Sequence, residues 1–481
     1  MKSDKEFLAK GSLISGLGLV TRIVSPALVI LLARFYPQGE LGLFITFQAL
    51  VLTLSRLSVL GLDKGLLWYV PRMEGQGRGN AYGLADSLLV ASLISLLFLA
   101  VFAVAGATGL IERIESLRGR SLPFILLMIG SVWPIAAVQL FSSALEGKRL
   151  PQYRVVLALF LTTSLVPLIA LLLKQALGDA LSLAAGLFLG NFIGFLSFLP
   201  VIRARFAGEA WSKASWPNAE LMRYSWPMAG SELVGNLLVR ADLWMLLLLL
   251  GPEKVAVYAV MVTITNGLRT VRQAFDPLLI PIVSRMGNED LRTKLRGPFS
   301  YATNMVSSIQ LLIVCFLMVF PREILSLAGK DYAIEIFAFG ILMVGNLVNG
   351  FLGLNGWVVL GMGRSRFNLL VNVCALPLNL ICNWIFIPRL GIAGAALSAT
   401  LTLLSQNLAH YVYVRFVSRL ALYEPHLYLN AGLEIAFLGA FFAVYHRVEA
   451  LSLAYRAGLF SAVFLGLGLA LLLKRKSYVL R

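Results

Sequence analysis

The chain has 481 residues, of which 59% are hydrophobic and 14% charged. That balance excludes a soluble globular domain and identifies a polytopic membrane protein. The formal net charge of +17 is what a polytopic chain acquires by keeping basic loops on the cytoplasmic side, so no nucleic-acid partner is expected.

A membrane span needs about 20 mostly apolar residues. Fourteen segments qualify: 12–35, 41–62, 82–105, 123–144, 154–174, 180–202, 227–250, 255–282, 299–320, 334–360, 367–387, 391–414, 430–446 and 456–474. Helices are expected, because lipid offers no partner to an open backbone and no alternating barrel pattern is present. The first segment follows Lys2, Lys5 and Lys10, is span-length and carries Arg22 and Arg34 without a convincing cleavage site, so it reads as a retained helix. The second carries Arg56. Asp86 lies near the start of the third. Gly75, Gly77 and Gly79 form a flexible loop without a P-loop pattern, so ATP is not the expected direct energy source. Pro26, Pro134, Pro167 and Pro377 fall inside spans and suggest kinks. Residues 203–226 form the longest inside connection, with Trp211, Trp216 and Trp226 suited to an interface.

The seventh and eighth segments stand apart. Residues 224–286 read as two helices joined at Gly251-Pro252. They carry Glu232, Asn236, Arg240 and Asp242, then Asn266, Arg269, Arg272, Gln273 and Asp276. Ionisable groups at bilayer depth are expensive and normally face a protein interior or a watery cavity. Downstream, Asn346, Asn349, Asn368, Asn372, Asn379 and Asn383 recur at near-helical spacing and suit interhelical hydrogen bonds, with sugar contact as the other reading. Cys315, Cys374 and Cys382 read as small packing residues, without disulfide or metal-ligand spacing. His410, His426 and His446 form no metal-binding pair.

With the N-terminus inside, the cytoplasmic loops hold about twice the Lys and Arg of the other side, which places both termini in the cytoplasm. The halves also repeat. Val70-Pro71-Arg72-Met73 returns as Val283-Ser284-Arg285-Met286, an offset of 213 (283 − 70). Leu177-Gly178 with Ala184-Ala185 returns as Leu390-Gly391 with Ala395-Ala396, and Gly147-Lys148-Arg149 is echoed by Gly361, Gly363 and Arg364. Six spans per copy give both copies one orientation, with the repeat axis along the membrane normal. The expected organisation is a six-helix lobe over 1–205, a cytoplasmic linker over 206–223 and a second six-helix lobe over 224–420. Residues 421–481 add two helices and a basic tail. The fold class is therefore all-α, with two six-helix lobes in parallel pseudo-twofold repeat facing a central cavity.

Arg240-Ala241-Asp242-Leu243, the apolar run to Gly251-Pro252-Glu253, and Val257-Tyr258-Ala259 resemble the centre of polysaccharide and oligosaccharide flippases. These belong to the superfamily that also includes multidrug/toxin extruders. Gly39-Glu40-Leu41-Gly42-Leu43-Phe44 and Gly61-Leu62-Asp63-Lys64-Gly65 resemble the first helical hairpin of that family. The resemblance implies a transporter, not an enzyme. It would flip a polyprenyl-diphosphate-linked oligosaccharide across the bacterial inner membrane by alternating access, for O-antigen, capsule or exopolysaccharide synthesis. It also implies membrane lipid and the glycan polymerase and glycosyltransferases of the same pathway as partners.

Five arginines lie inside spans away from their ends: Arg22, Arg56, Arg240, Arg269 and Arg272. Guanidinium groups stay charged and bind phosphate oxygens through a bidentate fork, so these five are candidates for holding the diphosphate. The alternative is a set of structural ion pairs, for instance Arg272 with Asp276 at i, i+4. Five arginines exceed Glu232, Asp242 and Asp276, and that surplus favours an anionic ligand. No cofactor is expected. Glu232, Asp242, Asp276 and Asp86 are candidates for coupling transport to a proton or sodium gradient, since a buried carboxylate exchanges its proton when a partner moves. Two other functions stay open: a drug or metabolite cation antiporter of the same fold, and a membrane-embedded glycan polymerase or ligase.

Overall fold

The computed structural model describes residues 24, 26–75, 83–110, 121–207, 211, 216–273, 283, 286, 288–425, 427–429, 431–432, 435–436, 452, 454–456, 458, 460 and 461. Among these it is helical, with no strand. Ten helical segments have the length and composition to cross a membrane, as a multi-pass membrane protein requires. Their exposed faces are apolar. On the helix Leu84–Ala107, Leu93, Leu96, Leu97, Val101 and Val104 are all more than half exposed and follow a helical stripe, as hydrocarbon-facing residues do.

The chain divides into two compact units, Met1–Val260 and Met261–Arg481. The first contains α1 (Pro26–Phe35), α2 (Gln38–Val59), α3 (Leu62–Gly75), α4 (Leu84–Ala107), α5 (Leu122–Gly130), α6 (Val132–Gly147), α7 (Arg154–Leu177), α8 (Asp179–Arg205) and α9 (Ala219–Leu250). It also contains the start of α10 (Pro252–Gln273), within which the division falls. Here α2 packs on α9, α6 and α4, α3 packs on α6 and α9, and α7 runs along α8. The shared core includes Leu62, Leu66, Val70, Phe141 and Phe198. The second unit holds the rest of α10, then α11 (Asn288–Thr293), α12 (Arg296–Val319), α13 (Ile336–Leu352), α14 (Leu354–Gly361), α15 (Ser365–Leu390) and α16 (Ile392–Val417). Within it α13 and α15 both pack on α16, and α12 packs on α13.

Most expected spans coincide with helices, and the differences have local causes. The segment 334–360 is two helices, α13 and α14, meeting at Gly353. The segment 123–144 is likewise broken, between α5 and α6 at Ser131, three residues before Pro134. The start of α7 is wound as a π-helix over Arg154–Leu161, ahead of Pro167. Pro377, by contrast, sits inside the uninterrupted α15. The helix α9 starts at Ala219, inside the connection expected before 227, because the Asn218 side chain caps it by accepting from the Glu220 N–H at 3.0 Å. Cys315 is buried, but Cys374 is exposed and so is not a packing residue. Most of the segment 12–35 and nearly all of the last two segments lie outside the described residues.

The sequence repeat has a local structural counterpart. Gly178 (φ 74°) separates α7 from α8, and Gly391 (φ 61°) separates α15 from α16. The turn after α6 contains Arg149 at φ 60°, and the turn after α14 contains Gly363 at φ 75°. Matching sequence fragments thus form matching helix-turn-helix junctions.

Candidate functional site

The charged part of the first unit is built on the antiparallel pair α2 and α9. Two glycines set their approach. A Cβ on Gly42 would lie 1.7 Å from the Pro252 carbonyl oxygen, so any side chain there forces the backbones apart. At the other end of α2, Gly61 has φ 73° and its Cβ would meet the Ser225 carbonyl at 2.4 Å. That turn needs glycine for both its left-handed conformation and its space. Both glycines belong to the fragments that resemble the flippases.

Between these contacts the two helices exchange polar groups. Asn236 Nδ2 donates to Thr53 Oγ1 at 3.3 Å. One turn away, Arg56 lies 3.2 Å from Asp63 and 3.6 Å from Glu232, and Lys64 lies 3.7 Å from the other Glu232 oxygen. Glu232, Asn236 and Arg240 rise along one face of α9 at i, i+4 and i+8. Arg240 Nε donates to Asn236 Oδ1 at 2.7 Å. Among the described residues Arg240 makes no ion pair with a carboxylate, while the like charge of Arg56 acts on it. The cluster therefore carries three cations, Arg56, Lys64 and Arg240, against two carboxylates, Asp63 and Glu232. Asp242, the next carboxylate on α9, is buried and accepts a hydrogen bond from Tyr258 Oη at 3.0 Å.

Arg56, Asp63 and Lys64 also line a cavity of about 440 Å³ within the first unit. Its polar wall includes Gln48, Gln139, Ser142 and Asn191, and its apolar wall comes from residues such as Leu28, Leu41 and Phe44. Gln139 Nε2 donates to Ser55 Oγ at 3.2 Å. Gln139 Oε1 and Ser142 Oγ are shielded from solvent and have no hydrogen-bond partner among the described residues. A space with cations, amides and hydroxyls in its wall suits a polar or anionic ligand group better than an organic cation.

The second unit holds the two other described candidate arginines, Arg269 and Arg272. Arg269 Nε donates to Asn346 Oδ1 at 3.0 Å, and Asn346 Nδ2 donates back to the Leu342 carbonyl at 2.9 Å. Arg272 Nη1 reaches the Gly353 carbonyl at 3.3 Å, at the junction of α13 and α14. Gln310 Nε2 donates to the Leu268 carbonyl at 2.6 Å and ties α12 to α10. The asparagine series makes interhelical bonds. Asn407 donates to Asn349 at 3.1 Å, Gln406 to Asn372 at 2.9 Å and Asn379 to Thr402 at 3.3 Å, and Asn368 meets His410 at 3.1 Å.

Arg56, Glu232 and Arg240 thus share one network, Asp242 sits farther along α9, and Arg269 and Arg272 have their own partners in the second unit. Asp86 is half-buried in the first turn of α4. Arg22 and Asp276 lie outside the described residues. Sequence reasoning missed Asp63 and Lys64 as partners of Arg56 and Glu232, and it missed the Gln48 and Gln139 wall. The signals were present: Gln48, Leu52 and Arg56 share a helix face, as do Gln139, Ser142 and Ser143.

The architecture has solved counterparts. The lipid II flippase MurJ in an inward closed conformation is 14% identical, covers 94% of this chain and 98% of its own, and superposes with a TM-score of 0.70. An inward-facing multidrug resistance MATE family transporter of the MOP superfamily is 16% identical over 83% of this chain and 98% of its own, with a TM-score of 0.67. The Vibrio cholerae MATE transporter VcmN in its bent form is 18% identical over 85% and 98%, with a TM-score of 0.57. At these identities the likeness is one of fold. No curated protein sequence matches the chain significantly. The model of the family described as "Polysaccharide biosynthesis protein" matches residues 7–286, more than half of the chain and all of the hairpin built on α2, α3 and α9. The chain belongs to the polysaccharide biosynthesis protein family.

Proposed function

We propose that the protein flips a polyprenyl-diphosphate-linked oligosaccharide from the cytoplasmic to the outer leaflet of the bacterial inner membrane by alternating access, for the synthesis of a surface polysaccharide. The observation that carries this reading is Arg240. Its Nε is held by a neutral amide, Asn236, and no carboxylate among the described residues claims the rest of its fork. A neighbouring arginine, Arg56, lies at the wall of a polar cavity. A glycan and a diphosphate do not cross hydrocarbon unaided, because burying unpaired charge costs many kcal/mol. A guanidinium fork with free donors supplies the charge-assisted bonds that replace the water lost by phosphate oxygens. The lipid tail remains in the bilayer, and alternating access exposes the headgroup to the opposite side. The polysaccharide biosynthesis family and the fold shared with MurJ support this substrate class.

Asp242 and Glu232 are the described candidates for coupling the cycle to a cation gradient, with Asp86 third and Asp276 a further candidate. Glu232 already bridges Arg56 and Lys64, so its release or protonation would change the charge beside the arginines. An organic-cation antiporter is disfavoured by the positive surplus of the cluster. The test is complementation of a flippase-deficient strain with Arg22→Ala, Arg240→Ala and Arg269→Ala. Each single variant is expected to lose surface glycan at normal protein level. Full complementation by all three would remove the arginine-based account, and export of cationic dyes without glycan transfer would favour the antiporter.

A further inference from the structure

A second cavity, of about 370 Å³, lies in the second unit, away from Arg269 and Arg272. Four helix ends meet there: α11, the C-terminus of α14, the N-terminus of α15 and the π-helical end of α16 (Tyr413–Val417). Its polar lining is Arg292, Arg364, Tyr413 and Ser418, and Met362 and Leu420 are among its apolar residues. None of those four polar side chains has a hydrogen-bond or ion-pair partner among the described residues. The wall beneath them is fixed. The Arg364 N–H donates to the Val359 carbonyl at 3.1 Å, and the Ser418 N–H to the Tyr413 carbonyl at 2.8 Å. The Tyr413 ring packs on Phe367 with centroids 4.3 Å apart.

The charge here is predominantly basic. The lining elements and their immediate flanks bring Lys294, Arg296, Arg366, Arg415 and Arg419 besides the two lining arginines, against Glu289 and Asp290 in the sequence of α11 and Glu424. A solvated basic loop satisfies the positive-inside rule without a cavity. This one has a cavity, and its cationic, hydroxyl and apolar walls converge where several helix ends meet. Basic pockets between spans on the cytoplasmic side bind anionic headgroups in this way.

We infer that this cavity is a phosphate-anion site, separate from the transport arginines, in which Arg292 and Arg364 clamp a phosphate group while Tyr413 and Ser418 donate hydroxyl hydrogen bonds. The group is the phosphodiester of an anionic phospholipid or free phosphate, and both present the same oxygens to the two forks. The inference does not rest on the glycan reading.

The test titrates the purified full-length protein in neutral detergent and follows its Tm. The probes are short-chain phosphatidylglycerol, short-chain phosphatidylcholine and inorganic phosphate. Phosphatidylglycerol is expected to raise Tm saturably, and phosphatidylcholine far less. The pair Arg292→Gln and Arg364→Gln is expected to weaken that apparent affinity by roughly fivefold for each arginine. Arg389→Gln, at the opposite end of α15, is expected to leave it unchanged. If inorganic phosphate alone reproduces and competes with the shift, the site takes the free anion; if only the lipid acts, it takes a headgroup. Equal shifts in wild type and the double variant, or an equal loss in Arg389→Gln, would overturn the site in favour of diffuse charge. Arg364→Gln alone, at an exposed position, carries the same comparison if the double variant does not fold.

Discussion

Arg56 and Arg240 lie on neighbouring antiparallel helices of one unit and are held in opposite ways. Arg56 is gripped by two carboxylates, Asp63 and Glu232, in a corner shared with Lys64. Among the described residues Arg240 is held through Nε alone, by the oxygen of Asn236. In the second unit Arg269 also donates Nε to an amide, Asn346. The chemistry differs accordingly. A carboxylate neutralises a guanidinium and occupies its fork, whereas an amide on Nε aims the fork and leaves the charge in place. The first arrangement ties helices together; the second, under the function proposed above, would present a cation to the ligand.

That contrast can be broken by substitution. The largest effect is expected at Arg240→Ala, which removes a fork and its charge. Hydrogen bonds to charged groups are worth about 1.5–3 kcal/mol, so export should fall roughly 10- to 100-fold. Arg240→Lys should recover only part, because an ammonium cannot both bond Asn236 and present a planar pair of donors. This is read as surface glycan at matched protein level. Next is Asn236→Asp, which gives Arg240 the kind of partner Arg56 has. The fold should survive, but glycan export should drop about tenfold as the fork is neutralised. Export at wild-type level in that variant would show that the unneutralised charge is immaterial.

Two smaller effects concern the scaffold. Gly42→Ala places a methyl against the Pro252 carbonyl and should lower stability by about 1–3 kcal/mol, seen as a reduced Tm in detergent. Glu232→Gln weakens pairs that are a third exposed, at 33–37% for Arg56, Lys64 and Glu232. It should therefore cost no more than about 1 kcal/mol of stability in the same assay.

The helices were legible in the sequence because hydrocarbon demands a long apolar run with an internally satisfied backbone, and such runs announce themselves. Their interruptions were less so. Gly353 divides an apolar segment that reads as continuous, whereas Pro377 leaves α15 whole, so residue type alone does not decide where a helix is interrupted. At the candidate site, Arg56, Glu232 and Arg240 stood out because charge inside a span is costly. Asp63 and Lys64 did not, because they follow the end of a span and resemble ordinary loop charges. The Lys64–Glu232 pair depends on α3 folding back against α9, which is a tertiary fact. Gln48 and Gln139 were missed for a similar reason. One amide in an apolar helix is unremarked until the faces that meet are known. The asparagines after Asn346 were better served, since their regular spacing suits the interhelical bonds they make.

The most direct measurement is headgroup transfer in proteoliposomes. Purified protein is reconstituted with a fluorescent polyprenyl-diphosphate oligosaccharide, and the accessibility of the glycan to an external glycosidase is followed with time. The account predicts that wild-type protein makes inner-leaflet glycan accessible and that Arg240→Ala, equally folded and equally inserted, does so at least tenfold more slowly. Transfer by Arg240→Ala at the wild-type rate would contradict it.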